Sequence, residues 1–407
     1  MKKEEWKKEL RSEYYIYAIH LWIPGVWPLL PDNYFTAFRF YFAVLLLLST
    51  IITLGTEIIQ SCGDAKEITD QLVFCAVTIN STAKIIILRI FRKKFSSSFR
   101  KAEENWFNTE DNDSLTITKS YKKLCRKINF LEATVHYILL AMYIIAPKLS
   151  NEKILPLSTS CLVKNFSSDI GYQIFYCLQI IQILYVFNGN LGTDFFFFII
   201  IMQICGQVEI LRMKLSKIAR QDFNYKLENV TNFNRLREIR IDERKCSMMI
   251  NFLINRHVKL INLANEVQST LSIMLLIHLS NNVAIMSILG LQSLLFLQEG
   301  DSLSAGKTIS RFFIVSLGLF LFCYTGDYLQ YQFEKVSEAA YNCHWYNLPP
   351  KISRNIINIQ MRASHLMNLN AGQLCELNLE LFKTAMQTAM SFFSLMRIIF
   401  KKDDHTI

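Results

Sequence analysis

Charge is scarce in this 407-residue chain, with Asp, Glu, Lys and Arg making up 19% of it, where a soluble domain carries about 25%. That shortfall disfavours a cytosolic enzyme. Glycine (13) and proline (7) are also few, which excludes collagen-like and Pro/Gly-rich disordered classes. None of the ten cysteines forms a C-x-x-C pair, so the spacing of a zinc or thiol-redox site is missing. The sequence likewise lacks G-x-S-x-G, H-E-x-x-H and a glycine-rich phosphate loop, the short patterns that place a nucleophile, a metal or a phosphate. No catalysis, metal or cofactor is therefore expected. The N-terminal MKKEEWKKELRSEYY has no apolar core or cleavage site of a signal peptide.

What the chain has instead is apolar surface: 51% of residues are hydrophobic, 30 of them Phe and 17 Tyr. This surface comes in runs of about 20 residues or more, the length that crosses the hydrocarbon core as a helix. The first, Ala37 to Gln60, holds no charge between Arg39 and Glu57. Six more follow: Gln71 to Phe91, Phe130 to Ala146, Gly171 to Gln207, Leu263 to Leu297, Thr308 to Phe333 and Leu377 to Phe400. The third has the shortest uncharged stretch and contains His136, while the fourth and fifth exceed one bilayer and project beyond it. Neither internal repeats nor inverted hydropathy halves are apparent, which weakens a transporter reading.

The net charge of +10 raises two anionic partners, nucleic acid and the membrane surface. Position decides between them. Of 44 Lys and Arg residues, 31 fall in segments 1–36, 92–127, 208–262 and 334–376, against eight in the alternate segments. Basic residues stay cytoplasmic, so residues 1–36 are expected in the cytoplasm and the tail 401–407 outside. This is opposite to the orientation of seven-helix G-protein-coupled receptors. Loops flanking membrane helices account for the basic residues, and no nucleic acid is needed. The expected fold is all-α: one domain, 1–407, of seven transmembrane helices spanning 37–400, with a helical anchor layer in the cytoplasm. Val208 to Val267 should contribute to that layer, since Ile210, Leu211, Leu215 and Ile218 have amphipathic spacing.

Several residues have more than one reading. In WIPGVWPLLPD, Trp22 and Trp27 suit the bilayer interface. Cys62 and Cys161 lie in outer loops, where a disulfide or two free thiols are open readings. Asn165, in an outer-loop sequon, is a glycosylation candidate. Lys84 and Arg89 lie near a cytoplasmic helix end and are expected to snorkel. Asp194, within NGNLGTD, reads as a structural carboxylate paired with a basic residue or backbone donors, in preference to an ion or proton site; the two glycines favour close helix packing.

In the last span, Thr384, Thr388, Ser391, Leu395 and Ile398 recur at spacings of 4, 3, 4 and 3 and share one helix face. Around a symmetry axis this face would form a wet pore with a Leu395 constriction. Small residues such as Ala385 and Ala389 point equally to plain helix packing. The outer halves of four spans offer Phe74, Val77, His136, Tyr143, Tyr176, Gln179, Phe312 and Phe313 as an apolar, sparsely polar pocket for a volatile or lipophilic ligand, although aromatic residues in spans more often pack or anchor.

The C-terminal quarter carries Cys323-Tyr324-Thr325-Gly326-Asp327, Ser337, Ala340-Tyr341, Trp345-Tyr346-Asn347-Leu348-Pro349, Arg362-Ala363, Ala371-Gly372 and Ser391-Phe392-Phe393-Ser394-Leu395, and the N-terminal part Gly25-Val26-Trp27-Pro28. In that order these resemble the insect odorant receptors, with the family's terminal Tyr positions replaced. The resemblance implies a seven-helix subunit with a cytoplasmic N-terminus, in the plasma membrane of an olfactory neuron's dendrite. It also implies assembly with a shared odorant co-receptor into a hetero-tetramer, a cation pore lined by the seventh helices, and a small volatile ligand. The gate of that family maps onto Leu395, with Ser391 and Ile398 beside it, and the structural anchor onto Asp194, Asp327, Trp345 and Tyr346. Ile398 and the absence of a long cytoplasmic insertion resemble a tuning subunit rather than the co-receptor. A G-protein-coupled or gustatory-type receptor is the alternative, but the gustatory Thr-Tyr-x5-Gln-Phe ending is absent.

Overall fold

A computed structural model gives the fold and describes residues 18–60, 65–107, 111–149, 155–157, 159, 169–220, 233–343, 345–365 and 367–403. Its helices are α1 (Tyr34–Ile59), α2 (Ala65–Ile90), α3 (Arg92–Phe107), α4 (Asn112–Leu149), α5 (Asp169–Arg220), α6 (Phe233–Gln298), α7 (Ser302–Tyr341), α8 (Pro350–Ala363) and α9 (Leu379–Asp403). A short 3-10 turn, Trp345–Asn347, precedes α8, and a two-residue hairpin pairs Asn370–Ala371 with Cys375–Glu376. Six of these helices, α1, α2, α4, α5, α6 and α7, are long and apolar enough to cross a membrane. The seventh expected span is α9, whose Glu380, Lys383, Lys401 and Lys402 dilute its apolar content.

The bundle is organised around α5. In its most apolar window 89% of residues are buried, against 33% for α1 and 11% for α4. The cause is compositional: Phe195, Phe196, Phe197 and Phe198 run consecutively and all four are buried, and a helix apolar all round must be enclosed on every side. It packs on α1, α2, α4, α6 and α7. Gly189 and Gly192 lie where a Cβ would strike Ser81 and Ile85 of α2, or His20 and Leu21, so the close packing expected of this glycine pair is observed.

Ahead of α1 the chain folds back in a tight turn. Gly25 has φ +71°, and a Cβ there would approach the Thr36 carbonyl within 2.7 Å. Asn33 caps α1 by accepting from the Thr36 amide at 3.0 Å. Trp22 is half-exposed under the Arg39 guanidinium, 4.2 Å from its ring centre. Trp27 departs from the interfacial role expected of it: it is buried, edge-on to Phe99 and Phe196, because the turn swings it inward onto α3 and α5. Beside this turn Asp32 accepts from Arg89 at 3.0 Å and Arg92 at 2.7 Å, and the two guanidiniums hold its carboxyl below the usual range.

Beyond the spans the long helices continue into a polar layer. On α5, Ile210, Leu211 and Leu215 are buried as their spacing required, while the side chain of Ile218 lies outside the described residues. Helix α8 buries Ile352, Ile356, Ile359 and Ala363, spaced 4, 3 and 4, against α6 and α7. A hydroxyl network ties three helices together: Tyr121 donates to Glu209 at 2.5 Å and meets the Tyr328 hydroxyl at 2.8 Å, while Gln332 donates to both tyrosines.

Candidate functional site

A cavity of about 150 Å³ lies within the bundle, walled by α2, α4, α5, α6 and α7. One end is apolar, formed by Val73, Phe74, Val77, Leu139, Phe187, Ile285 and Leu289 with the ring of Tyr143. The rings meet edge to face or tilted, Phe74 to Tyr143 at 5.8 Å and Tyr143 to Phe187 at 6.3 Å between centres, arrangements that aromatic quadrupoles favour. The other end is polar, lined by Asn80, Lys84, Glu132, His136, Asn190, Asp194, His278 and Asn282.

These polar groups come in helical pairs four residues apart: Asn80 with Lys84, Glu132 with His136, Asn190 with Asp194, His278 with Asn282. That spacing stacks each pair on one face of its helix, and four helices aim such faces at one space. Lys84 Nζ donates to Asp194 Oδ1 at 2.5 Å, with 1% of the lysine side chain exposed. The pairing expected for Asp194 is therefore present. The snorkelling expected for Lys84 is not, because its position on α2 turns it toward α5 and a carboxylate instead of along the helix to water. Asn80 donates to Asn190 Oδ1 at 3.2 Å and lies 3.3 Å from His278 Nδ1. The Asn282 amide lies 3.0 Å from His278 Nε2. His136 donates from Nδ1 to the Glu132 carbonyl at 2.9 Å. Arg311 closes the apolar end, donating to Asp70 at 2.5 Å and Tyr143 at 3.4 Å.

Of the eight residues offered as a ligand pocket, Phe74, Val77, His136 and Tyr143 line this cavity. The other four lie elsewhere. Tyr176 donates to the Ile144 carbonyl at 2.7 Å, joining α5 to α4. Gln179 accepts from the Leu157 amide at 3.0 Å and donates to Thr159 at 3.3 Å, holding the segment between those helices. Phe312 packs against the cluster of Val73, Ile285 and Leu289 from outside the cavity. Phe313, one residue and about 100° further round the helix, is 66% exposed.

On α9 the two faces divide. Ala385 and Ala389 are buried, with Ser287 of α6 reaching the Ala389 carbonyl at 3.4 Å and Phe393 seated over Gly290. The opposite stripe is open among the described residues: Thr384, Ser391, Leu395 (54%) and Ile398 (66%) are exposed and Thr388 is half-buried. Each hydroxyl donates back one turn, Thr384 to Glu380, Thr388 to Thr384 and Ser391 to Gln387, at 2.8–3.0 Å. Their donors are spent, and oxygen lone pairs face outward.

Among the anchor candidates, Asp327 is half-buried on α7, Trp345 is half-buried with its carbonyl accepting from Ser353 at 2.6 Å, and Tyr346 is exposed. Asn165, Cys62 and Cys161 lie outside the described residues.

Residues 64–390 match the family model of the 7tm odorant receptors. The chain belongs to this family. Odorant receptor 10 of Aedes albopictus is 19% identical over 346 residues, 84% of this chain and 87% of that one. The odorant receptor co-receptor of Aedes aegypti is 24% identical over 149 residues, and the match spans about 30% of its length. Near-full-length likeness to an odorant receptor and partial likeness to the co-receptors mark this receptor as a tuning type. The olfactory receptor OR5 of Machilis hrabei, solved with eugenol, has the same fold: TM-score 0.76 at 14% identity, covering 96% of this chain and 99% of that one. The receptor is thus a multi-pass membrane protein, and membership in a receptor family accords with a sequence that carries no catalytic motif.

Proposed function

We propose that this odorant receptor is the ligand-binding subunit of a ligand-gated, non-selective cation channel in the plasma membrane of an olfactory neuron's dendrite, assembled with the odorant co-receptor into a hetero-tetramer. The observation that carries the reading is α9: its alanine face is used within the chain, while its hydroxylated stripe and Leu395 lie largely exposed among the described residues. Repeated about an axis, that stripe offers oxygen lone pairs to a passing cation and a leucine ring at one level, a constriction that closes by dewetting. The cavity supplies the ligand site, and the Machilis receptor of the same fold was solved with a small aromatic ligand, eugenol.

Coupling between them has a short path. On α6, Ile285 and Leu289 face the cavity while Ser287 and Gly290 face α9, so the two sites are separated by the thickness of one helix. A ligand that binds better to the arrangement with α6 shifted outward draws α9 with it and widens the constriction, by its difference in affinity for the two states. The test is current recording from cells expressing the chain with and without a co-receptor. Odour-evoked cation current is expected only from the pair. With Leu395→Ala, current in the absence of ligand should rise several-fold; an unchanged baseline rejects Leu395 as the constriction.

A further inference from the structure

Inside the cavity the charges do not balance. Two carboxylates, Glu132 and Asp194, face one ammonium, Lys84, which is bonded to Asp194. The remaining cation, Arg311, is bound by Asp70. Glu132 is left with a carboxylate that no described side chain bonds. Glu132 is half-buried on the cavity wall, and a carboxylate there without a hydrogen-bonded counter-charge is costly, so a proton or a ligand's positive charge completes it.

Hydrogen bonding points the same way. Asn190 donates to the Val77 and Val186 carbonyls, at 3.3 and 3.2 Å. That fixes its amide, so its Oδ1 faces Asn80, which must present its NH2 there. Asn80, 4% exposed, is consequently left with Oδ1 buried and unpartnered. The unspent capacity of this polar end is acceptor capacity. At the opposite end stand the rings of Phe74, Tyr143 and Phe187, and aromatic faces attract cations as well as apolar bodies. A cavity of about 150 Å³ is the size that admits a single benzene ring.

We infer that the cavity recognises a small protonated primary amine carrying one ring or a short apolar chain, with its ammonium set beside Glu132 and its body against the aromatic end. The inference rests on this cavity being the ligand site of the receptor, and names the ligand class for it. The probes are benzylamine, benzyl alcohol and benzoate, which share a ring and differ in charge. They are applied to the full chain purified with its co-receptor, reading the thermal unfolding midpoint, and to cells, reading current.

Benzylamine is expected to raise the midpoint at about tenfold lower concentration than benzyl alcohol, as one charge-assisted hydrogen bond provides, with benzoate weaker still. Glu132→Gln should bring benzylamine to the level of benzyl alcohol, and Glu132→Asp should keep part of the gap. Equal potency of amine and alcohol in the wild type overturns the inference, as does a gap that survives Glu132→Gln or a failure of all three probes to shift the midpoint. If Glu132→Gln does not fold, the wild-type gap and its reduction in Glu132→Asp decide. Glu132-dependent stabilisation by benzylamine without current upholds the amine site and counts against the channel.

Discussion

Lys84 and Asp194 exemplify the residue scale. Each alone is an expensive residue in a membrane bundle, and together they form a 2.5 Å contact beside the cavity. Removing one partner leaves the other buried and unpaired, which costs about 3–5 kcal/mol, whereas an apolar replacement of the whole pair is close to neutral. Asp194→Asn should therefore lower the unfolding midpoint sharply, and Lys84→Met combined with Asp194→Leu should recover most of it. Thermal unfolding in detergent checks this, and a double variant no better than the single one refutes a purely pairwise account. Asp194 was legible from its sequence as a carboxylate needing a partner. Its partner was not, because nearness to the helix end suggests water for Lys84, whereas its face of α2 decides where it points. The four polar pairs at i, i+4 carried that information, and only their joint occurrence on four spans separates them from ordinary surface pairs.

At the scale of elements, apolar runs located the spans because burial in lipid or protein demands them. Their ends were less legible: α5 and α6 run on as helix for several turns past the bilayer, and a polar layer packs them there through tertiary contacts that periodicity only hints at. The Asn370–Ala371 hairpin left no strand pattern at all; two residues per strand are too few to alternate. On α9 the packing residues Ala385 and Ala389 are buried, and the stripe proposed for the pore is a separate, exposed face. The chain entering α9 also presses on α7, since a Cβ at Gly326 would overlap the Leu377 carbonyl. Gly326→Ala must push that backbone aside, at a cost of about 1–3 kcal/mol, and should lower the unfolding midpoint. Gly55→Ala, where nothing lies within 4 Å of the new methyl, should leave it unchanged or raise it by the helix preference of Ala over Gly, roughly 1 kcal/mol. A midpoint insensitive to Gly326→Ala would mean that this crossing is not tightly packed.

For the whole molecule, the basic residues gathered in alternate segments make orientation a property of the entire chain. An epitope at the N-terminus should be stained only after permeabilisation, and one at the C-terminus on intact cells; the reverse pattern would contradict the charge asymmetry and restore a G-protein-coupled topology. The helical class and the spans were readable because they rest on hydropathy, which is summed over many residues, and the family because its motifs, such as Trp345 to Pro349, stand in the chain residue by residue. Which side chains meet in the cavity was half readable: four of eight expected residues line it, Phe312 and Phe313 miss by a step around α7, and Tyr176 and Gln179 lie about two to three turns along α5 from its lining residues. The enclosure of α5 has a mechanical side as well. The chain leaves far more of α1 and α4 exposed than of α5, so a bilayer that thickens or thins should bear first on the outer helices. They can tilt to match it while α5, sheathed in protein, keeps its place like an axle within a moving wheel.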